Sequence, residues 1–377
     1  MVIRVGVVGA TLSGGWGLQA HLPALSQLPE YELTAVATRS LESARDCASA
    51  WSIPLAFGSA DELIDHPDID LVVAAVKSAQ HAIIVDRAIA AGKHIYCEWP
   101  LGMNLAETRR LAQTAQDRGI VHAVGLQGLH SAGARWVRTL IRSGQIGELR
   151  SISVSAAGGI GGTRYPQSSK WAADPAKGTT ILTIRTAHVL SALAMALGDT
   201  LSELSALVVQ LDPEATVIET GERFAVGSPD QVAIMGTLSN GALVSVAVQG
   251  GRPRAEPSFN IEIVGTDGAI SVSPGGPGAS PHVAPWHVLF KPAIGEPKEL
   301  HVPDGYDALP KSIPAGPAAN VAALHREVGK AIAEGRQPWP SFTNAVEHRA
   351  FIDEVDEAAR TGQRVKIASR LTSFPQD

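Results

Sequence analysis

Three clusters of residues in this 377-residue chain have the types and spacing to do chemistry. The run Gly92-Lys93-His94-Ile95-Tyr96-Cys97-Glu98-Trp99-Pro100-Leu101-Gly102 feeds a carboxylate, an indole and a rigid proline out of a short β-rich stretch. If that stretch is a parallel strand, the three groups sit at its carboxyl end, where open α/β sheets bind ligands. Near the N-terminus, the apolar run Ile3 to Val8 leads into Gly9-Ala10-Thr11-Leu12-Ser13-Gly14-Gly15-Trp16-Gly17. A strand, a glycine turn and a helix N-terminus cradle a diphosphate, because free backbone N–H groups and the helix dipole converge there. The fingerprint is degenerate: Gly9 and Gly14 keep the outer spacing, Thr11 replaces the central glycine, and the turn is longer than G-x-G-x-x-G. The third cluster is Arg185 with His188, which share one face of an apolar helical stretch. The guanidinium opposes protonation of the imidazole and offers a handle to a carboxylate or an oxyanion.

The elements that must position these groups follow from periodicity. After the glycine turn a helix runs to about residue 28, and a strand from Tyr31 ends in Thr38-Arg39-Ser40. An NAD site places an acidic side chain there, against the ribose 2′-hydroxyl. Hydroxyls and a guanidinium instead suit a 2′-phosphate, which favours NADP; NAD stays open if Arg39 only stacks on the adenine. The run Ile69 to Val76 has the continuous apolar character of a strand covered on both faces. Asn104, three residues before Glu107, caps the helix that precedes the run Val121 to Gln127. From Leu149 the pattern changes to alternating β-rich runs, near 149–157, 203–210, 231–238, 242–249, 259–265 and 269–273, with a hairpin signal at Ser239-Asn240-Gly241. Helices are expected at 131–143, 318–335 and 343–361.

Composition bounds the rest. An apolar fraction of 45% describes a globular protein with room for two cores. Cys47 and Cys97 form no paired spacing, so neither a disulfide framework nor a metal site is signalled, and a reducing cytoplasm is the expected location. No signal peptide and no membrane-spanning run is expected. A net charge of −6 argues against a nucleic-acid partner, and Arg135, Arg138 and Arg142 read as a solvated or salt-bridged helix face.

The strand-end run also carries a resemblance. In the glucose-fructose oxidoreductase/inositol dehydrogenase (Gfo/Idh/MocA) family this stretch reads A-G-K-H-V-x-x-E-K-P-L, and Gly92, Lys93, His94, Glu98, Pro100 and Leu101 match it. Ser143-Gly144-Gln145-Ile146-Gly147-Glu148, Ile261 to Gly268 and Thr361-Gly362-Gln363-Arg364-Val365 are similar to further family segments, so the resemblance covers essentially the whole chain. It implies an α/β plus α+β fold: a Rossmann domain at 1–126, then a substrate and oligomerisation domain at 127–377 with an open, mostly antiparallel sheet and C-terminal helices.

The resemblance further implies site residues. Cofactor contacts fall to Gly9, Thr11, Leu12, Gly14 and Trp16 of the turn, to Thr38, Arg39 and Ser40, and to Val76, Lys77, His81, Glu98, Trp99 and Gln127. Substrate contacts fall to Trp99, Tyr165, Lys170, Trp171, Arg185 and His188. His188 matches the family's general acid/base, a role that suits a group titrating near neutrality. In the turn Val76 to His81 only the histidine of the family's T-P-N-x-x-H survives; Lys77 is either a surface lysine or a second catalytic group. Two family residues are replaced, the triplet lysine by Trp99 and the aspartate before the histidine by Ile184. The tryptophan change resembles the branch of fungal galactose-metabolism regulators. Two functions therefore stay open: an NADP-dependent oxidoreductase acting on a sugar, cyclitol or related polyol, and a dinucleotide-binding regulator without turnover. A homo-oligomer, dimer or tetramer, is the family expectation.

Overall fold

The computed structural model describes residues 2–158, 161–251, 258–276, 280–306, 308–368 and 374. They form two compact units: the chain up to Gln127 together with Leu309–Val346, and Gly128–Ala308 together with the chain from Glu347 onward.

The first unit is built on β1 (Ile3–Val8), β2 (Tyr31–Ala37), β3 (Leu55–Phe57), β4 (Leu71–Ala74), β5 (His94–Glu98) and β6 (His122–Gly125). All pair in parallel, in the order β3-β2-β1-β4-β5-β6. The order reverses between β1 and β4, which opens a crevice at their carboxyl ends, the general ligand position of such sheets. Leu71, Val72, Val73 and Ala74 are fully buried, as their unbroken apolar run requires of a strand with both faces covered. Asn104 accepts from the Glu107 amide at 2.9 Å and starts the helix Leu105–Arg118.

Segment 309–346 departs from the sequence boundary, which assigns everything after residue 126 to the second domain. Its helix Pro317–Glu334 carries Val321, Leu324 and Val328 along one stripe, and all three belong to the core that contains Val5, Leu22, Leu25 and Tyr31. The Tyr31 hydroxyl donates to the His325 carbonyl at 2.6 Å, which fixes the helix against β2.

The second unit holds β7 (Leu149–Ala157), β8 (Arg164–Tyr165), β9 (Glu203–Val209), β10 (Glu214–Val217), β11 (Arg223–Ala225), β12 (Gln231–Thr237), β13 (Leu243–Gln249), β14 (Phe259–Gly265), β15 (Gly268–Pro274), β16 (Trp286–Pro292), β17 (Lys298–Leu300) and β18 (Val365–Lys366). Nine form one sheet, β17-β16-β15-β14-β7-β13-β12-β9-β18, in which β7 and β13 run parallel and the other described pairs antiparallel. A small sheet, β11-β10-β8, stands apart. The Asn240-Gly241 turn closes the β12–β13 hairpin, with Gly241 at φ +85°, a conformation open to glycine.

Two expectations change. The helical stretch Pro175–Leu197 has the length and mean hydropathy, 1.5, to cross a membrane, yet 72% of that window is buried within the protein, which makes it a core helix. Arg138 is buried against the Met195 sulfur and the half-buried Arg135 donates to the Tyr306 carbonyl, so two of the three arginines on that face of helix Ala132–Arg142 are packed, while Arg142 is exposed as expected. The aliphatic stems of arginine fill such a face while the heads find carbonyl or sulfur partners.

Candidate active site

In the first unit the glycine turn is shaped for close approach. Gly9 has φ +100°, and a Cβ there would lie 2.5 Å from the Ala75 carbonyl oxygen. Its amide donates to Ala37 at 2.9 Å, so the chain leaves β1 pinned between β2 and β4. The Gly14 amide closes onto the Thr11 carbonyl at 3.2 Å, and the Thr11 hydroxyl donates to Gly14 O at 3.1 Å. Gly14 and Gly15, both at positive φ, face open space, while Leu12 is 48% exposed. The helix then begins at Gly17, where a Cβ would sit 2.9 Å from Ala10. The close-packing glycine of this turn is therefore Gly17, which spacing arguments centred on Gly14 miss. These features fit a diphosphate: open backbone at Gly14 and Gly15, a helix start beside them, and no side chain in the way.

At the end of β2, the Thr38 hydroxyl donates to Ser40 O at 2.8 Å, and Ser40 Oγ accepts from the Ser43 amide at 3.2 Å. Both hydroxyls thus shape the turn, and Ser40 keeps its proton to donate. Arg39 is exposed and makes no hydrogen bond or ion pair among the described residues.

Glu98, Trp99 and Pro100 leave β5 as expected, and all are buried. His21 Nε2 donates to Glu98 Oε1 at 2.9 Å, and His21 Nδ1 lies 3.0 Å from His325 Nε2. His325 Nδ1 is buried without a hydrogen-bond partner. One set of tautomers satisfies both contacts: His325 Nε2–H donates to His21, whose Nε2–H donates to Glu98, leaving only a bare lone pair on His325 Nδ1. The chain runs from helix Pro317–Glu334 to the strand-end carboxylate. Gly125 makes room for it, because a Cβ there would come within 2.7 Å of the Glu98 carboxylate. His81 ties the neighbouring turn to the same triplet, with Nδ1 2.7 Å from Pro100 O and Nε2 3.0 Å from Val76 O. Burial holds its pKa down against the pull of those carbonyls. Lys77 is exposed on that turn, and Trp16 is half-buried with its indole N–H lacking a hydrogen-bond partner. Gln127 is 1% exposed, and its side-chain oxygen likewise has no hydrogen-bond partner.

In the second unit, the expected helix carrying Arg185 and His188 opens with a π-helical turn, Ile181–Thr186, before the α-helix Ala187–Leu197. Thr180 caps it: its hydroxyl accepts from the Thr183 amide at 3.1 Å, and the Thr183 hydroxyl accepts from the Thr180 amide at 2.9 Å. His188 is buried and stacks on His282, with ring centroids 4.1 Å apart and planes 10° from parallel. Burial, then the neighbouring Arg185 and His348, push its pKa down to about 3. Its Nδ1 has no hydrogen-bond partner. His348, whose Nε2 is 2.9 Å from the Ala187 carbonyl, is pushed down to about 4 by burial. Burial also lowers the proton affinity of the Arg185 guanidinium. Arg185 lines a pocket with Tyr165, Thr179, Thr180, Ile184 and Ser228.

The structure thus brings Tyr165, Ile184 and Arg185 together around one pocket, and Arg185 beside His188. Lys170 is committed elsewhere, 2.8 Å from Glu222 Oε1 and over the Phe224 ring at 5.2 Å. Trp171 is partly buried in the same loop. His282 and His348 were not legible as neighbours of His188, because nothing in their spacing links them.

Comparison with known proteins follows the same division. Residues 3–126 match the oxidoreductase family, NAD-binding Rossmann fold, and residues 134–274 match the Gal80p C-terminal domain. Dehydrogenase aclE of Aspergillus oryzae is 30% identical over 294 residues, 75% of this chain and 79% of that protein. The galactose/lactose metabolism regulatory protein GAL80 of Saccharomyces cerevisiae is 28% identical over 290 residues, 72% of this chain but only 66% of its own length. The solved structure of levoglucosan dehydrogenase in complex with NADH and L-sorbose superposes with a TM-score of 0.81, covering 98% of this chain and 100% of that one; at 22% identity the likeness is one of fold. The chain belongs to the Gfo/Idh/MocA oxidoreductase family, and its first unit is a nicotinamide-dinucleotide-binding Rossmann fold.

Burial of neutral His188 ties stability to pH. The unfolded chain binds this proton below the ordinary histidine pKa of about 6.5 while the folded chain refuses it, so stability is complete above that pH and falls toward the folded value of about 3. His188→Gln removes one such group, and its stability in urea should decline less steeply between about pH 6 and pH 4, by up to about 1.4 kcal/mol per pH unit. Parallel slopes for the two proteins would show that His188 titrates normally.

Proposed function

We propose that this chain is an NADP-dependent oxidoreductase acting on a CH–OH group of a sugar, cyclitol or related small polyol. The observation that carries the reading is His188: a buried, neutral imidazole with an unpartnered ring nitrogen, in a chain whose other unit is a dinucleotide-binding fold. The nicotinamide, when bound, accepts or returns the hydride. In the oxidative direction the carbinol carbon gives up its hydride, the hydroxyl gives its proton to His188 Nδ1, and a carbonyl is left; reduction reverses both transfers. A ring that holds its proton this weakly passes it on rather than storing it. Lys77 is the second catalytic candidate, as a cation that polarises the substrate oxygen. The dehydrogenase activity is supported by the name of the relative dehydrogenase aclE, and a sugar-like substrate by the structural neighbour, levoglucosan dehydrogenase, in complex with L-sorbose. NADP is supported by Thr38-Arg39-Ser40, where no acid opposes a 2′-phosphate and an unengaged guanidinium is exposed.

A second reading has its own observation. Trp99 is 4% exposed and half-buried Ile184 lines the Arg185 pocket, so both replaced family residues have become apolar. A regulator resembling GAL80, filled by dinucleotide without turnover, fits that replacement. Leu207, Met235 and Leu243 are each more than 60% exposed on β9, β12 and β13, an apolar sheet face suited to a homodimer or tetramer. A monomer in sedimentation at micromolar concentration would contradict that assembly.

Reduced-nicotinamide absorbance, followed with a panel of sugars, uronates and cyclitols, separates the readings; silence across the panel despite dinucleotide binding would favour the regulator. With any substrate found, His188→Ala should lower kcat by about 100- to 10,000-fold, and retained activity would remove His188 as the acid/base. Arg39→Ala should weaken NADP by about tenfold or more while sparing NAD, whereas equal losses would contradict the 2′-phosphate contact.

A further inference from the structure

Among the described residues, Arg185 is the one strongly basic group lining its pocket, and none of them pairs with it. Its Nε is buried without a hydrogen-bond partner, and no ion pair reaches the side chain among the described residues. The lining it shares with Tyr165, Thr179, Thr180, Ile184 and Ser228 contains hydroxyls and apolar groups but no carboxylate. Asp230, near Ser228 in sequence, is itself 1% exposed and has its carboxylate taken up by the amides of Leu211, at 3.1 and 3.2 Å, and Asp212, at 2.9 Å. The other titratable neighbours of Arg185 among the described residues are the Tyr165 phenol of the lining and two imidazoles, His188 and His282, which both feel the guanidinium as a repelling charge. Arg185 is half-buried with its Nε out of water, and a partly desolvated guanidinium among neutral bases is stabilised when an anion completes it, because removing a charge from water is offset by an opposite charge held at hydrogen-bond distance.

Resting on the oxidoreductase reading, we propose that the Arg185 pocket binds the carboxylate of a sugar acid, so that the substrate is a uronate or an aldonate rather than a neutral sugar. A guanidinium edge pairs with a planar carboxylate through two parallel N–H donors. Ser228 on the same lining already donates to the Ala172 carbonyl at 2.9 Å and Thr180 serves the helix cap, so recognition at this pocket rests on the carboxylate end of the ligand. A sugar phosphate is the poorer fit, since its nearly double charge would meet one guanidinium and uncharged imidazoles. The anion also acts on the proton chemistry: burial is the main cause of His188's neutrality, and the negative charge beside Arg185 offsets the guanidinium's added repulsion, so the imidazole becomes a better base when the correct substrate is present. Ile184, in place of the family's carboxylate, is then no simple loss, because a protein carboxylate there would compete with the ligand for Arg185.

The test is calorimetric titration of the NADP-loaded protein with glucuronate, gluconate, glucose and a hexose phosphate, with turnover of each measured in parallel. Glucuronate or gluconate should bind at least about tenfold more tightly than glucose and than the phosphate, the worth of a hydrogen bond to a charged group. Arg185→Gln should abolish that preference, and Arg185→Lys, which keeps the charge without the fork, should retain part of it; melting curves of both variants report folding. Sugar acids that bind in this way but are never oxidised would sustain the carboxylate site and overturn the oxidoreductase reading. Equal affinity for glucose and its acids, or a preference that survives Arg185→Gln in a folded protein, would overturn the site while leaving any observed oxidation standing.

Discussion

The second unit is governed by one electrostatic constraint: three buried imidazoles, His188, His282 and His348, are gathered beside a half-buried guanidinium, Arg185, whose Nε has no hydrogen-bond partner. Burial disfavours every charged form, and each cation raises the cost of the next. The imidazoles respond by staying neutral. Arginine cannot follow them, since its intrinsic basicity is too high to be overcome by burial of this kind. The cluster therefore concentrates one persistent charge in a polar, partly apolar pocket, and His188 is kept neutral first by its own burial and then by that neighbouring charge.

The first unit solves the same problem in the opposite way. Its buried imidazoles, His21 and His325, are strung in a line that ends on a carboxylate, and the tautomers are dictated by direction: proton donors point toward Glu98. The helix Pro317–Glu334, carried in from late in the sequence, closes this line and so belongs to the nucleotide-binding unit in energy as well as in space. Replacement of the family lysine by Trp99 leaves that arrangement intact, because the fixed member of the triplet is its glutamate, held by His21 on one side and by the missing side chain of Gly125 on the other. An acid-anchored unit and an acid-free pocket are thus built from the same residue types, and the difference lies in which elements bring a carboxylate.

Local chemistry was legible in the sequence, and distant chemistry was not. The strands at 149–157 and 259–265 and the helices near 318–335 and 343–361 follow from period and caps, because alternation and amphipathic stripes are local properties. The Gly9 turn and the Thr38-Arg39-Ser40 strand end were legible for the same reason. The π-helical winding at Ile181–Thr186 was not, since it depends on how the Thr180 cap meets the packed helix that follows. Nor was the stacking of His282 on His188, or the burial of Arg138, which are set by strands and helices far apart in the chain. β16, rich enough in apolar residues to be found, lies behind a proline- and glycine-rich stretch that hides its alternation. Function was legible at the level of a family and a pair of replaced residues, whereas the anion proposed for Arg185 rests on the geometry around it.

The claim beneath all of this is that His188 is neutral in the protein and gains proton affinity only when an anion occupies the Arg185 pocket. Histidine ring signals of isotope-labelled protein, followed by nuclear magnetic resonance across a pH titration with and without glucuronate, measure it directly. The account predicts that the His188 ring titrates at about 3 in the free protein and at a distinctly higher pH with the sugar acid present. A free-protein midpoint near the ordinary histidine value of about 6.5, unchanged by the ligand, would contradict it.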